Sequence, residues 1–181
     1  MKSQVWIHNL KNHSFIKDKL LDIFEKSKKS CFSDNIDQIS HTDFYENIDA
    51  SKKEYMRIFN ANADDFYDKF FNFYCLKEVK IINVWFQQYK QKDVHEWHFH
   101  AETNISLVYY VELSNFEEST EFFDIENKQT FQLKPKEGDI IVFPSYVLHR
   151  SPPIVSNTRK TIISCNINFL KANANLINID K

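Results

Sequence analysis

Three histidines are spaced so that they could bind one metal ion. His98 and His100 are separated by a single residue, so an extended backbone turns both imidazoles toward the same face. His149 lies far downstream, and it could supply a third nitrogen from a neighbouring strand. Three protein ligands leave coordination positions open, as in catalytic metal sites. The sequence therefore predicts a catalytic metal centre at His98, His100 and His149.

The segment before His149 strengthens the third assignment. Gly138, the only glycine in the chain, lies in a turn between Pro135 and Asp139, and a short apolar strand follows. Pro144 ends that strand, and His149 comes shortly after it. A histidine at this point has no evident packing role. His149 is therefore the firmest of the three predicted ligands.

The ligand set has an alternative. Glu102 follows His100 by two residues, so a His-x-Glu pair competes with the pair of His98 and His100. A carboxylate would complete the two-histidine, one-carboxylate set that is typical of non-haem Fe(II), whereas three imidazoles also suit Zn, Cu or Ni. The remaining histidines have no partner at ligand spacing and are expected on the surface: His8, His13, His41 and His95.

The motifs around the predicted metal ligands occur in an order that can be compared with known families. The chain contains His98-Phe99-His100, then the strand Ser106 to Tyr110, then the turn and strand from Pro135 to Pro144, and finally His149. In this order the motifs between about Trp85 and Phe169 resemble the core of the Fe(II)- and 2-oxoglutarate-dependent oxygenases. The similarity is to a branch of small proteins that carry an H-x-H pair.

The resemblance implies Fe(II) and the cosubstrate 2-oxoglutarate, whose far carboxylate requires a cationic anchor on the strand after the last histidine. Arg159 occupies this position, and a guanidinium can bind a carboxylate through two hydrogen bonds. Thr161 shares the strand face of Arg159. Lys160 is the alternative anchor, because the family's strand ends with an asparagine six residues after the anchor and Asn166 stands in that relation to Lys160. We favour Arg159.

The same resemblance suggests the rest of the pocket and the reaction. Tyr110 or Ser106 is expected to donate a second hydrogen bond to the carboxylate. Trp85 and Gln87 share one face of an earlier strand and are candidates for the pocket wall, although a core position suits Trp85 equally well. The implied activity couples oxidative decarboxylation of 2-oxoglutarate to hydroxylation of a C–H bond. The substrate, a small molecule or a peptide, is not identified by the sequence.

Two other functions fit parts of the pattern. A cupin-type metal enzyme that does not use 2-oxoglutarate matches the spacing of Gly138, Pro144 and His149, but the cupin glutamate after the H-x-H pair is missing. A barrel that binds a ligand or partner without catalysis is the second, and the intact set of histidines argues against it. The cation after His149 distinguishes the oxygenase from the cupin, which does not need one.

Periodicity predicts helices first and strands afterwards. Helices are expected from Ser14 to about Lys28 and from about Lys52 to Cys75, with loop at 30–50 and either a short strand or a loose end near Val5–Ile7. An aromatic stripe on the second helix indicates core packing: Tyr55, Phe59, Phe66, Phe70 and Phe73. Short β-branched and aromatic segments follow as strands: Val79–Tyr89, Ile105–Leu113, Glu121–Ile125, Gln129–Leu133, Asp139–Phe143 and Thr161–Phe169.

This order favours an α+β fold in which the strands form a double-stranded β-helix, a jelly-roll or cupin-like barrel, with N-terminal packing helices. The length of 181 residues suits a single domain, 1–181. We divide it into a helical part (1–76), a β-helix core (77–170) and a C-terminal tail (171–181).

Composition narrows the function classes. With 23 basic and 25 acidic residues the net charge is −2, so no nucleic-acid or membrane-surface partner is indicated. No apolar run approaches the roughly 18 residues that a membrane span needs, and the N-terminus lacks a secretory pattern. The three cysteines lack metal-binding spacing and fit reduced thiols, so a cytoplasmic protein is expected. A homodimer is compatible with these features but is not indicated by any of them.

Overall fold

Two β-sheets with an apolar interior between them form the centre of the molecule, and helices cover the outer side of the larger sheet. The computed structural model describes residues 4–34, 36–46 and 48–177. In chain order the elements are β1 (Trp6–Asn9), α1 (His13–Lys26), β2 (Phe32–Ser33), β3 (Gln38–Ile39), β4 (His41–Thr42), α2 (Glu54–Asn60), α3 (Asp64–Phe73), β5 (Leu76–Tyr89), β6 (His95–His98), β7 (Ile105–Glu112), β8 (Glu121–Asp124), β9 (Gln129–Phe131), β10 (Asp139–Pro144), β11 (His149–Ser151) and β12 (Lys160–Ala172).

The strand order is that of a jelly roll. The larger sheet has the order β1-β10-β7-β12-β5-β4, the smaller one has the order β6-β11-β8-β9, and β2 and β3 form a separate hairpin. From β5 onward, consecutive strands alternate between the two sheets except at the β8–β9 hairpin. The prediction of an α+β fold built on a double-stranded β-helix is confirmed.

Strand alternation divides the larger sheet into two faces with different surroundings. On β12, Ile163 and Cys165 pack against the helices, whereas Ile162 points into the space between the sheets. All six predicted strands are present with shifted ends, and β5 begins earlier, at Leu76. The short strands β6 and β11 were not predicted separately, because four and three residues carry too little periodic pattern.

The helices bury aromatic and aliphatic side chains against the sheet. In α1, Ile16, Leu20 and Phe24 lie on one face and are buried, as helical spacing requires. None of the described helices is both long and apolar enough to cross a membrane.

The prediction of one helix from Lys52 to Cys75 was wrong, because the chain forms two. The helix α2 ends at Asn60, and α3 begins at Asp64 with two acidic residues in its first turn, where the positive end of the helix dipole favours them. The aromatic stripe stays buried on both helices up to Phe70. Phe73, at the end of the predicted stripe and of α3, is exposed.

The N-terminal region is more ordered than the sequence suggested. The segment near Val5–Ile7 belongs to a strand, since β1 pairs with β10 at the edge of the larger sheet. The stretch predicted as loop at 30–50 contains β2, β3 and β4. Gly138 lies in the predicted turn with φ +88°, and a Cβ atom there would come within 2.9 Å of the His13 ring. Only glycine satisfies both conditions at this turn.

The contrast between Phe70 and Phe73 gives a stability prediction. Phe70→Ala removes a ring that is 1% exposed, and we expect it to lower the free energy of unfolding by about 3–5 kcal/mol. Phe73→Ala removes a ring on the same helix that is 46% exposed, and we expect a loss of about 1 kcal/mol or less. Urea denaturation of the two variants checks this, and equal losses would contradict the burial assigned to α3.

Candidate metal centre

The three predicted ligands converge at one point between the sheets. His98 ends β6 and lies directly opposite His149, the first residue of β11, in the antiparallel ladder. His100 lies just beyond β6, where its backbone N–H donates to the Ser145 carbonyl at 2.8 Å. Potential ligand atoms of the three residues all lie within 4.8 Å of one another. This spacing allows one metal ion to contact all three.

Hydrogen bonds fix which nitrogen two of these histidines offer. His98 Nδ1 lies 2.6 Å from the Glu96 carbonyl oxygen, and His149 Nδ1 lies 2.8 Å from the Val147 carbonyl oxygen. A carbonyl oxygen only accepts, so each Nδ1 carries the hydrogen and each Nε2 keeps a free lone pair. Metal-bound histidines in proteins are oriented by such contacts.

Hydrogen-bonded polar side chains contact the Nδ1 side of His100. The Asn166 side-chain amide lies 3.3 Å from His100 Nδ1, and the Ser106 hydroxyl donates to Asn166 Oδ1 at 2.8 Å. Ser106 Oγ also lies 3.0 Å from Ser145 Oγ. A half-turn of the Asn166 amide would let His100 Nδ1 donate to it, which would leave Nε2 for a metal. This geometry gives Ser106 a part in orienting His100 and does not favour it as a ligand of the cosubstrate carboxylate, because its hydroxyl donates to Asn166.

The electrostatic environment keeps the cluster neutral. Burial lowers the pKa of His149 well below its ordinary value, and the neighbouring His98 lowers it further. Burial also lowers the pKa of His98 and brings the pKa of His100 to about 4. Neutral imidazole is the form that binds metal ions. Three neutral imidazoles, two of them with oriented Nδ1 groups, therefore fit a divalent transition metal.

The alternative ligand pair of His100 and Glu102 finds no support in this geometry. Glu102 is exposed to solvent and lies outside the cluster of potential ligands formed by the described residues. Its backbone carbonyl accepts a hydrogen bond of 3.3 Å from Asn168. The set of three histidines is therefore the one that the fold brings together.

The expectation that the other histidines lie on the surface was wrong. The ring of His95 stacks on that of His98 with 3.9 Å between centroids, and burial lowers its pKa to about 3. Strand alternation alone would put these two residues on opposite faces, but β6 has an extra residue relative to β11. His8 and His41 are also buried, and His13 contacts the Tyr109 hydroxyl at 2.7 Å.

Arg159 lies away from the metal cluster. Its guanidinium binds the Glu112 carboxylate through Nε at 2.7 Å and Nη2 at 3.1 Å, and it also contacts Glu25. Thr161 donates to the same Glu112 carboxylate. The geometry therefore does not favour Arg159 and Thr161 as the residues that hold the cosubstrate, because both already bind glutamate carboxylates. Those partners come from distant segments, α1 and β7, and the local sequence gave no sign of them.

Lys160 points into the space between the sheets instead. It is 2% exposed, and Nζ donates to the Glu118 backbone carbonyl at 2.8 Å and to the Ser151 hydroxyl. Nζ also lies 4.2 Å from the centre of the Tyr89 ring. No carboxylate among the described residues forms an ion pair with it, and the Glu118 carboxylate accepts from the Ser156 backbone N–H. Burial lowers the pKa of Lys160 to about 7.

Hydroxyl groups surround this lysine's end of the interior. Tyr110 Oη lies 2.7 Å from Thr120 Oγ1 and accepts from the Thr120 backbone N–H at 2.9 Å. Burial raises the pKa of Tyr110 to about 12, so its hydroxyl keeps its hydrogen. The Ser119 hydroxyl is buried without a hydrogen-bond partner among the described residues. A buried cation beside spare hydroxyl donors is suited to a carboxylate ligand.

A cleft of about 270 Å³ opens beside His98 and His100. Trp85 and Gln87, the predicted wall residues, both line it, and Trp85 is also buried as a core residue. Apart from the histidines, its described walls carry apolar or neutral polar side chains: Phe32, Ile39, Thr42, Phe44, Asn83, Trp85, Gln87 and Asn166.

The chain is similar in fold to several solved structures. No protein-family model matches the sequence, and no curated protein matches it. A prolyl-4-hydroxylase from Pseudomonas putida superposes with a TM-score of 0.63 at 14% identity, covering 92% of this chain and 93% of that one. An oxidoreductase of the 2OG-Fe(II) oxygenase family from Burkholderia pseudomallei gives 0.72 at 11% identity, with coverage of 93% and 87%.

The viral collagen prolyl hydroxylase from Paramecium Bursaria Chlorella virus-1, solved as a complex with 2OG, gives 0.59 at 15% identity, with coverage of 93% and 97%. The chain has the double-stranded β-helix fold of these oxygenases. This similarity in fold covers nearly the whole length of the chain.

The geometry predicts which residues metal binding requires. His149→Ala removes a buried ligand, and we expect the affinity for Fe(II) to fall by more than about 100-fold, since loss of even an outer partner costs about 10–100-fold. Glu102→Ala should leave the affinity unchanged, because Glu102 lies outside the cluster. Anaerobic calorimetric titration with Fe(II) measures both. A loss confined to Glu102→Ala would instead support the His-x-Glu pair.

Proposed function

We propose that the protein is an Fe(II)- and 2-oxoglutarate-dependent dioxygenase that hydroxylates a C–H bond of its substrate. One observation carries this proposal. The cavity lined by the three imidazoles is also lined by Ser151, whose hydroxyl accepts from Lys160, a buried lysine that forms no ion pair with any described carboxylate. A metal that binds a dicarboxylate cosubstrate needs both features in one cavity.

Different residues would bind the metal and the cosubstrate. His98, His100 and His149 would hold the iron, and Asn166 and Ser106 would orient His100. When bound, iron and 2-oxoglutarate supply the oxidative chemistry that attacks a C–H bond. The protein contributes the orientation of the ligands and a largely apolar interior that excludes water.

Lys160 would hold the far carboxylate of 2-oxoglutarate. Its direct contacts are all neutral, and the nearby Glu118 and Asp93 carboxylates only partly offset the effect of burial on its pKa, so a ligand carboxylate would supply a direct counter-charge. Tyr110, the residue expected from the motifs, would donate to the same carboxylate together with Thr120 or Ser119, whose hydroxyl groups lie beside it. This assignment replaces Arg159 by Lys160, the alternative that the position of Asn166 had left open.

Lys160 and the oriented histidines each argue against one of the two rival functions. A cupin-type enzyme without 2-oxoglutarate has no use for a buried cation near its metal, and burial of such a charge is unfavourable unless it is paired. A non-catalytic barrel would not need two Nδ1–H groups that orient imidazoles toward one point. Neither alternative accounts for both features.

We also propose that the protein acts in a reducing compartment such as the cytoplasm. Its three cysteines, Cys31, Cys75 and Cys165, are all unpaired. Disulfides are rare where thiols are kept reduced. A homodimer remains a prediction without a structural argument for it.

The anchor can be tested by anaerobic titration of the Fe(II)-loaded protein with 2-oxoglutarate, followed through the weak visible charge-transfer band of the chelate. We expect Lys160→Met to weaken binding by at least about 30-fold, because loss of a buried charge partner costs about 2 kcal/mol or more. Arg159→Met is the matched control and should bind normally. The opposite result in the two variants would restore Arg159 as the anchor. Iron binding without any band would favour the cupin.

The pKa of Lys160 gives a prediction about protons. With a pKa of about 7, most of the unliganded protein carries a neutral amine at pH 8, and a neighbouring carboxylate raises that pKa. Binding of 2-oxoglutarate should therefore take up close to one proton at pH 8, and the affinity should fall as the pH rises above 7.

Calorimetry in buffers of different ionisation enthalpy measures the uptake. Lys160→Arg is charged throughout this range and should bind without taking up a proton. Equal uptake by the native protein and this variant would show that another group titrates.

A further inference from the structure

The cleft beside the histidines has neutral walls. Among its described side chains, Phe44 is apolar and Asn83 and Gln87 end in amides, and none is an acid, a lysine or an arginine. A free amino acid or a phosphorylated metabolite would bring charges into this space without a partner for them, which is costly. A residue within a polypeptide carries neutral amide groups in place of the two terminal charges. The cleft therefore suits a peptide-bound residue better than a free one.

Trp85 adds a hydrogen-bond requirement. Its indole N–H is buried and has no hydrogen-bond partner among the described residues, and its ring centre lies 6.2 Å from that of His100. An indole N–H only donates, so it needs an acceptor such as a carbonyl oxygen. A native structure rarely leaves such a donor unused, and a ligand carbonyl would satisfy it.

A larger groove continues from the cleft along β5. It has a volume of about 990 Å³, shares Phe44, Asn83 and Trp85 with the cleft, and has Lys80–Val84 in its wall. Its exposed apolar side chains include Tyr45, Ile48 and Ile82. The space is therefore long enough for a chain that passes the metal centre and extends beyond it.

The edge of β5 that borders this groove is open. On that side β4 pairs only with Gln87 and Gln88, and the described residues supply no strand beside 76–86. Side chains bind three of its backbone groups, since Asp43 accepts from the Phe86 N–H, Thr42 donates to the Phe86 carbonyl and Lys53 donates to the Val84 carbonyl. The edge N–H and C=O groups before Val84 are therefore available for pairing with another strand. An open edge of this kind binds an extended chain through main-chain hydrogen bonds.

We propose that the substrate is an extended polypeptide segment that pairs with β5 at residues 80–83 and presents one uncharged side chain to the metal through the neutral cleft. This inference rests on the proposed function, because it names the substrate class of that same site. Phe44 and Trp85 form the passage between groove and cleft, where their rings meet edge to face at 5.3 Å. Their substitution should therefore affect peptide binding.

The test uses a pool of randomised peptides of about ten residues, acetylated and amidated at their ends, which is passed over immobilised protein. A peptide recovered from the pool is then synthesised and titrated by fluorescence anisotropy. We expect Trp85→Phe, which keeps a ring but removes the N–H, and Phe44→Ala each to weaken binding at least tenfold. Phe15→Ala is the control, because this exposed ring lies on α1 outside cleft and groove, and it should change nothing.

Strand pairing has its own readouts. N-methylation of alternate backbone amides in the peptide should abolish binding at one register and not at the other, and hydrogen exchange of residues 80–83 should slow in the complex. The inference would be overturned if no peptide of the pool binds, or if neither N-methylation nor Trp85→Phe changes the affinity. Binding of Fe(II) and 2-oxoglutarate is measured on the same preparation. If both bind and peptides do not, the proposed function stands and only this inference fails.

Discussion

The antiparallel pairing of β6 with β11 is the contact on which the site depends. It sets His98 directly opposite His149, although the two are far apart in the sequence. The backbone carbonyl two residues before each histidine then orients its Nδ1, so the local backbone that positions the rings also fixes their tautomers. His100 needs separate support because it lies beyond β6, and Asn166 on β12 provides it from the facing sheet. The metal centre thus joins both sheets.

At the start of β12, neighbouring side chains point to opposite faces of the sheet and have different partners. Arg159 and Thr161 lie on the outer side and bind Glu112, whereas Lys160 points inward and makes direct contacts with neutral groups only. Adjacent side chains of a regular strand alternate in this way, so a shift by one residue exchanges the two cations. The outer arginine stabilises the contact between sheet and helices. The inner lysine, which forms no ion pair with a described carboxylate, remains available to a ligand.

Much of the fold was predictable because its signals are local. Period-two patterns locate the strands of the larger sheet, and the spacing of His98 and His100 needs no tertiary information. The contacts of Arg159 were not predictable in the same way, because the glutamates that it binds come from α1 and β7. His95 was missed for a related reason: the extra residue in β6 that turns it toward His98 is visible only in the pairing with β11.

The most direct test of this metal and cosubstrate site is a crystal structure of the protein with Mn(II), as a redox-inactive substitute for Fe(II), and 2-oxoglutarate. We expect the metal on His98, His100 and His149, the far carboxylate of 2-oxoglutarate on Lys160 Nζ, and Arg159 still bound to Glu112. A metal coordinated elsewhere, or a carboxylate bound by Arg159 after it has left Glu112, would contradict the proposed site.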